Sequence, residues 1–142
     1  MFISQISVFA ENRNGAILEV TEALKDANVN IRALSIADTA DFGIVRLIVD
    51  KTEEALKALR ARDMTVSETK VIGVSVADNP GCFHEVLLAL SEADVAIEYA
   101  YAFAAPEGLG ANVILRCKNQ DRAAGCLTEC GLRLLTQEEI NI

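Results

Sequence analysis

The sequence predicts an α+β protein made of two consecutive repeats, each with the element order βαββαβ. Three observations predict this fold class. A strand, a polar turn ending in Gly and an amphipathic helix occur twice, 66 positions apart. Apolar residues alternate in the strand segments and recur every three or four positions in the helix segments. The length of 142 residues suits one ordinary domain or two very small ones.

The first repeat begins with a strand at residues 2–9, in which apolar and polar side chains alternate. A polar turn follows and ends in Gly15. The next residues predict a helix at 16–27, because apolar side chains recur at spacings of three and four with charged residues between them. The apolar stripe of this helix is formed by Ile17, Val20, Leu24 and Ala27.

The remaining half of the first repeat adds a β-hairpin, a short helix and a strand. Residues 30–37 and 44–49 flank a polar turn, which predicts two paired strands. The second of these strands is apolar on both sides, so we expect both of its faces to be covered. The stretch Asp50–Glu53 has the form of a capping box and predicts a helix to about residue 61. Residues 64–70 then form a fourth strand.

The second repeat has the same order of elements. After a strand at residues 71–76, Pro80 suits the first turn of a helix at 81–93, with Asn79 as its N-cap. The apolar stripe of this helix is formed by Phe83, Val86, Leu87 and Leu90. The remaining predicted elements are strands at 96–103 and 109–116, a helix at 119–130, a strand at 132–135 and a polar tail.

The two repeats align best between residues 15–31 and 81–97, without a gap. Eight of these seventeen pairs are identical, which is hard to obtain by chance. The identical pairs are Gly15/Gly81, Glu19/Glu85, Val20/Val86, Ala23/Ala89, Leu24/Leu90, Ala27/Ala93, Val29/Val95 and Ile31/Ile97. In the hairpins Gly43 matches Gly110, which predicts one extra residue in the second hairpin.

A βαββαβ repeat of this size is typical of the ferredoxin-like fold, in which helices cover one face of an antiparallel sheet. We therefore expect two tandem ferredoxin-like domains, residues 1–70 and 71–142, joined without a linker. A single repeat buries only a small core, so association of the two repeats gives a physical reason for the tandem arrangement.

The composition argues against several classes of partner. The formal net charge is −8 and the 13 Lys and Arg residues are scattered, whereas nucleic acids and anionic membranes require clustered basic residues. No apolar run approaches the roughly 18 residues of a membrane span. The first residues lack the basic and apolar regions of a signal peptide. We therefore expect a cytoplasmic protein that binds neither nucleic acid nor membrane.

Neither a metal site nor another cofactor is expected. His84 is the only histidine, and the four cysteines show no Cys-x-x-Cys spacing. We expect the cysteines to be free thiols that pack as small apolar side chains. They are Cys82, Cys117, Cys126 and Cys130.

The turn before the first helix of each repeat is the candidate site. The first N–H groups of a helix have no acceptor within the helix and lie at the positive end of its dipole, so they suit a carboxylate or another anion. Gly15 and Gly81 allow a ligand to approach the backbone closely. Side-chain amides are added by Asn12, Asn14 and Asn79. The alternative is that these Asn and Gly residues only form turns and caps.

The stretch Asp78–Gly81, followed by an apolar residue and an amphipathic helix within a βαββαβ repeat, resembles the loop signature of the ACT domain. The resemblance covers nearly the whole chain as two ACT domains. The chain is similar to small stand-alone proteins made only of such a pair. The hairpin at residues 37–46 resembles that subgroup as well. The first repeat departs from the signature, since Arg13 stands where the second has Asn79.

The resemblance implies a non-catalytic, regulatory protein that binds an amino acid at an interface between two ACT domains. It also implies a homodimer and, as a partner, an enzyme that the protein regulates. In the family, the loop of one domain contacts the amino-acid backbone and the second strand of the neighbouring domain contributes as well.

Carried over to this chain, the resemblance implies two sets of binding residues. The loop residues are Asn12, Asn14, Gly15, Ala16 and Ile17 in one site and Asp78, Asn79, Gly81, Cys82 and Phe83 in the other, and the strand residues are Ser35 and Tyr101. The sequence leaves open which face of these strands meets the ligand, and a place in the core is an equal alternative for Tyr101.

Two other functions stay open at this point. An enzyme would use Cys82 with His84 or Glu85, but positions 82 and 84 of a helix point about 200° apart and do not readily form a nucleophile–base pair. The first repeat has Ala16 and Leu18 at those positions, so we expect no enzyme. A pure assembly module is the other alternative, because exposed strand edges invite pairing between chains.

Overall fold

The computed structural model describes residues 2–11, 13–38, 42–105 and 110–140. Asn12 of the candidate site lies outside these stretches, as do parts of both predicted hairpin turns.

The described residues form two compact units. We call Ser4–Thr69 together with residues 138–140 the first unit, and Lys70–Gln137 together with residues 2 and 3 the second unit. Phe2 packs against the core of the second unit. Each unit is therefore one βαββαβ repeat with a short additional segment.

The first unit contains β1 (Ile3–Glu11), α1 (Ala16–Asp26), β2 (Ile31–Asp38), β3 (Phe42–Val49), α2 (Thr52–Ala61) and the beginning of β4 (Thr65–Val76). Its strands lie in the order β2-β3-β1-β4, and β3 is antiparallel to both β1 and β2. The strand β2 is therefore at an edge of this sheet. The two segments predicted at 64–70 and 71–76 form the single strand β4.

The second unit contains the rest of β4, then α3 (Cys82–Glu92), β5 (Ile97–Ala104), β6 (Ala111–Cys117), α4 (Gln120–Glu129), β7 (Arg133–Leu134) and the beginning of α5 (Gln137–Ile140). Antiparallel pairing gives the strand order β7-β4-β6-β5, with β5 at an edge. Both units thus have the architecture of the ferredoxin-like fold, which confirms the predicted fold class.

The core of each unit lies between one face of the sheet and the two helices. In the first unit, Val8 of β1 pairs with Val45 of β3, and both pack in one buried cluster with Val20 and Leu24 of α1. The second unit has a matching cluster of buried residues from β4, β6, α3 and α4. On the opposite face of the sheet of the first unit, Gln5 is fully buried, whereas Phe9 is 41% exposed.

The two units repeat one another in backbone detail. Gly15 and Gly81 both adopt the left-handed conformation, with φ of 87° and 88°. The same backbone hydrogen bond follows the end of each helix at 2.9 Å: Val29 N–H to Leu24 O after α1, and Val95 N–H to Leu90 O after α3. The sequence repeat is therefore a structural repeat.

Two predicted helix caps are wrong. The Asp50 carboxylate does not cap α2; its Oδ1 accepts the N–H of Asn30 at 2.9 Å, and Lys51 is the N-cap without a side-chain hydrogen bond. In α3 the N-cap is Gly81 rather than Asn79. In both cases the residue expected to cap lies before the N-cap position. The Asp50 side chain bonds to Asn30 instead, and the Asn79 carbonyl accepts the N–H of Cys82.

Gly43 and Gly110 are not equivalent, which corrects the alignment of the hairpins. Strand pairing places Gly43 opposite Ala10 and places Ala111 opposite Val76. Ala10 and Val76 are 76 − 10 = 66 positions apart, whereas Gly43 and Ala111 are 111 − 43 = 68 positions apart. The second hairpin is therefore longer by two residues, not by one.

The predicted apolar stripes are also partly wrong. Ile17 and Phe83 are each 37% exposed, whereas Ala16 and Ala23 are buried in α1. In the first turn of α1, the small side chain of Ala16 therefore faces the core in place of Ile17. The tail after β7, predicted to be only polar, contains α5 with Ile140 buried.

Replacing Gly110 with Ala is expected to destabilise the protein more than replacing Gly81 with Ala. Both residues have positive φ, where Ala costs about 1–2 kcal/mol. A Cβ at Gly110 would also collide with the backbone carbonyl of Val76, whereas a Cβ at Gly81 would meet no atom within 4 Å. Urea denaturation of both variants measures the difference, and equal losses of unfolding free energy would contradict it.

Candidate functional site

The loop between β4 and α3 presents unpaired backbone donors. Gly81 is the N-cap of α3, and no side chain caps this helix. The N–H of Cys82 donates to the carbonyl of Asn79 at 3.2 Å. Among the described residues, no acceptor is found for the next two amides, those of Phe83 and His84. These N–H groups are therefore available to an anionic group of a ligand.

In the same unit, helix α4 has a side-chain N-cap. The Asn119 side chain accepts the N–H of Arg122 at 3.1 Å and caps that helix. No such side-chain bond is found in α3. The uncapped start of α3 is thus a local property of its loop and not of every helix in the unit.

The loop between β1 and α1 has the same backbone geometry. Gly15 is the N-cap of α1, and the N–H of Ala16 donates to the carbonyl of Arg13 at 3.3 Å. Asn14 is exposed. The left-handed φ explains why both loops carry Gly, since other residues adopt it at a cost. A Cβ at Gly15 or Gly81 would meet no atom within 4 Å, so open space lies beside each glycine.

A cavity of about 290 Å³ adjoins the loop of the second unit. Asp78 and Asn79 border it from the loop and are exposed. The other residues around it are apolar apart from one tyrosine: Val76, Ala77, Phe83, Ala100, Tyr101, Ala102, Ala111 and Val113. The cavity therefore joins an apolar wall to a polar loop, an arrangement that suits small amphiphilic ligands.

The first unit has a smaller cavity of about 190 Å³ at the matching place. It is lined by Ala10, Glu11, Arg13, Ala16, Ile17, Ile36, Gly43 and Val45. The Arg13 guanidinium donates to the Glu19 carboxylate at 2.6 Å and lies 3.5 Å from that of Glu11. The hydrogen bond to Glu19 raises the pKa of Arg13 above its usual value. A paired charge thus occupies the rim of this cavity.

The family comparison agrees with this duplicated geometry. The sequence pattern that defines the ACT domain pair matches residues 1–142. The chain belongs to the ACT domain family. The resemblance inferred from the loop at residues 78–81 is therefore confirmed.

Solved structures resemble the whole ACT pair. A protein from Bacteroides thetaiotaomicron is 41% identical, with a TM-score of 0.93 over 99% of this chain and 96% of that chain. The ligand-free regulatory subunit of aspartate kinase from Thermus thermophilus has a TM-score of 0.63 at 15% identity, over 89% of this chain and 91% of that one. The corresponding subunit from Thermus flavus has a TM-score of 0.61 at 15% identity, over 90% and 92%. At such identity the two subunits show a shared fold only. No protein of curated function matches the sequence.

Ser35 and Tyr101, the two ACT strand residues expected at the site, occupy matching positions, and Tyr101 pairs with Ile114 on the sheet face opposite the core residues Val113 and Leu115. Tyr101 of β5 borders the second-unit cavity. Ser35 of β2 pairs with Arg46 of β3, on the sheet face opposite the core residues Val45 and Leu47. It does not border the first-unit cavity, which instead has Ile36 on the helix-covered face.

The sequence did not predict that the small residues Ala100 and Ala102 of β5 border the second-unit cavity. Ala100 and Ala102 pair with Leu115 and Val113, which belong to the core of the second ACT unit. Directly paired residues share one face of a sheet, so both alanines lie on the helix-covered face. Apolar residues stand on both sides of β5, so the sequence of this strand alone does not show which side faces the helices. The pairing with β6 shows it.

The residues considered for catalysis are not assembled into a site. Cys82 is half-buried as the first residue of α3, His84 is exposed, and no hydrogen bond between them is found among the described residues. Within the same stretches, no group of three His, Cys, Asp or Glu residues could hold a metal ion. No helix there is both long and apolar enough to cross a membrane.

Alkylation should distinguish the cysteines of the second ACT unit. Burial raises the pKa of the Cys117 thiol, so less reactive thiolate is present at neutral pH. Cys130 is exposed and should react with iodoacetamide before Cys117. The alkylation rate at Cys117 should rise only when the pH is raised above the pKa of a free thiol. Peptide mass spectrometry after timed quenching measures both rates, and equal rates in the folded protein would contradict the assignment.

Proposed function

We propose that this ACT pair is a non-catalytic, cytoplasmic regulatory sensor that binds an amino acid at the loops preceding α1 and α3. The observation that carries this proposal is the cavity beside the uncapped start of α3, where unpaired N–H groups adjoin an apolar wall. An α-amino acid combines the groups that such a site can satisfy, namely a carboxylate, an ammonium group and a side chain.

Each part of an amino acid has a matching group at the second-unit loop. The ligand carboxylate accepts the N–H groups of Phe83 and His84, at the positive end of the α3 dipole. The ligand ammonium group pairs with the exposed Asp78 carboxylate. Gly81, Cys82 and Asn79 complete the loop. In the first unit the corresponding residues are Gly15, Ala16 and Ile17, with Asn12 and Asn14 before them.

We further propose that the site is completed by an ACT domain from a second copy of the chain. The edge strand β2 carries the exposed apolar residues Leu34 and Ile36, which are 41% and 48% exposed. Such an edge favours pairing with another chain. Ser35 of β2 and Tyr101 of β5 lie on the two edge strands, which is the position from which they would contribute to a neighbouring site.

The regulatory part of the proposal is supported by the shared fold with regulatory subunits of aspartate kinase. A ligand regulates a partner only if it binds two states with different affinity. We therefore propose an enzyme partner whose activity changes when the amino acid binds. The exposed apolar edge also favours a second function, that of an assembly module whose dimer forms without a ligand.

Titration calorimetry against the twenty amino acids should detect binding of at least one. Asp78→Asn should weaken that binding by about tenfold or more, because a charge-assisted hydrogen bond to the ammonium group is lost. Asp121→Asn, an exposed position in α4, is the matched control and should bind as the wild type does.

Two results would decide between the functions. A folded wild-type protein that releases no heat with any amino acid would refute the sensor. A dimer of unchanged stability in the presence and absence of every amino acid, measured by sedimentation, would favour the assembly module.

A further inference from the structure

The second-unit cavity is larger than its first-unit counterpart, and the edge strands explain the difference. Ala100 and Ala102 of β5 stand at the positions where β2 has Leu34 and Ile36, because the antiparallel pairing of β5 with β6 matches that of β2 with β3. Ala102 borders the cavity of about 290 Å³, whereas Ile36 borders that of about 190 Å³. The short side chain of Ala102 therefore leaves open the space that Ile36 occupies in the first unit.

The rims of the two cavities differ in charge as well. Arg13 of the first unit stands where the second has Asn79, and Glu11 stands where it has Ala77. The Arg13 guanidinium is already paired with Glu19 at 2.6 Å. A ligand entering the first-unit cavity would have to displace or desolvate this ion pair, whereas no ion pair is found at the second-unit cavity among the described residues.

We propose that the amino acid bound by this chain has a branched aliphatic or aromatic side chain, and that the second-unit cavity alone receives it. This inference rests on the proposed function, specifies the ligand class and restricts binding from the two proposed loops to the loop preceding α3. Apolar side chains gain free energy when they leave water for the wall formed by Val76, Ala102 and Val113. A charged side chain would lose its hydration there without finding a partner.

The size of the cavity agrees with this class of ligand. At about 290 Å³ it is at the lower end of cavities that hold small molecules, which begin on the order of 300 Å³. Of the described residues around it, the polar ones are Asp78 and Asn79 of the loop and Tyr101 of β5. The backbone groups of the amino acid would thus be fixed at the loop, with the side chain directed to the apolar wall.

Calorimetry with leucine, isoleucine, valine, phenylalanine, lysine, aspartate and serine tests the ligand class. At least one of the first four should bind about tenfold or more tightly than the last three, as expected for apolar pockets. The stoichiometry should be one amino acid per chain.

Two variants test which cavity binds. Ala102→Ile and Ala100→Leu each copy the first-unit residue into the second unit and should weaken binding by about 10- to 100-fold. Both alanines are exposed, so the fold should tolerate the larger side chains. Ala61→Ile, at an exposed position at the end of α2, is a matched control and should not change the affinity.

The experimental results that would contradict the ligand class, the choice of cavity and the proposed function differ from one another. Best binding of lysine, aspartate or serine would overturn the ligand class while leaving the sensor function intact. Two equivalents per chain, or an unchanged affinity of folded Ala102→Ile and Ala100→Leu proteins, would overturn the assignment to the second unit. The absence of any binding by the wild type would refute the proposed function and this inference together.

Discussion

The left-handed backbone at Gly15 and Gly81 is the constraint on which the candidate sites depend. This conformation turns the chain from a strand into a helix whose first N–H groups have no side-chain cap. Glycine adopts this conformation at little cost, whereas Ala in its place costs about 1–2 kcal/mol. The open space beside each glycine follows from the same turn. The position of the unpaired donors is thus a consequence of one backbone conformation, repeated in both units.

The duplicated turn does not by itself make two equal sites. The backbone of the two units agrees closely, yet the residues around the cavities differ at the strand and at the rim. Ala102 replaces Ile36, and Asn79 replaces Arg13. Because the surrounding backbone is repeated, these side chains are sufficient to explain a wider, less charged cavity in the second unit. A duplicated fold can therefore keep its backbone in both copies while the side chains give the two copies cavities of different size.

The sequence predicted the element order, the repeat and the loop glycines because these leave strong local signals. Hydrophobic periodicity marks the strands and helices, and the left-handed turn requires Gly81. The cap of α2 was mispredicted because the Asp50 carboxylate bonds to Asn30, a residue distant in sequence. The cavity wall was missed because the face on which Ala102 lies depends on its pairing with Val113. The predictions that failed depend on contacts between residues that are distant in the sequence.

The cavity's position suggests how binding would be transmitted. Its walls include the α3 loop and the edge strand β5, so a ligand there would contact both elements at once. An edge strand has unpaired backbone groups and is the part of a sheet that another chain can join. A ligand that binds one arrangement of loop and edge more tightly than another must favour that arrangement, and by linkage a partner that joins the favoured edge must strengthen ligand binding by the same factor. The placement of an apolar cavity against an edge is therefore a physical basis for regulation without any catalytic residue.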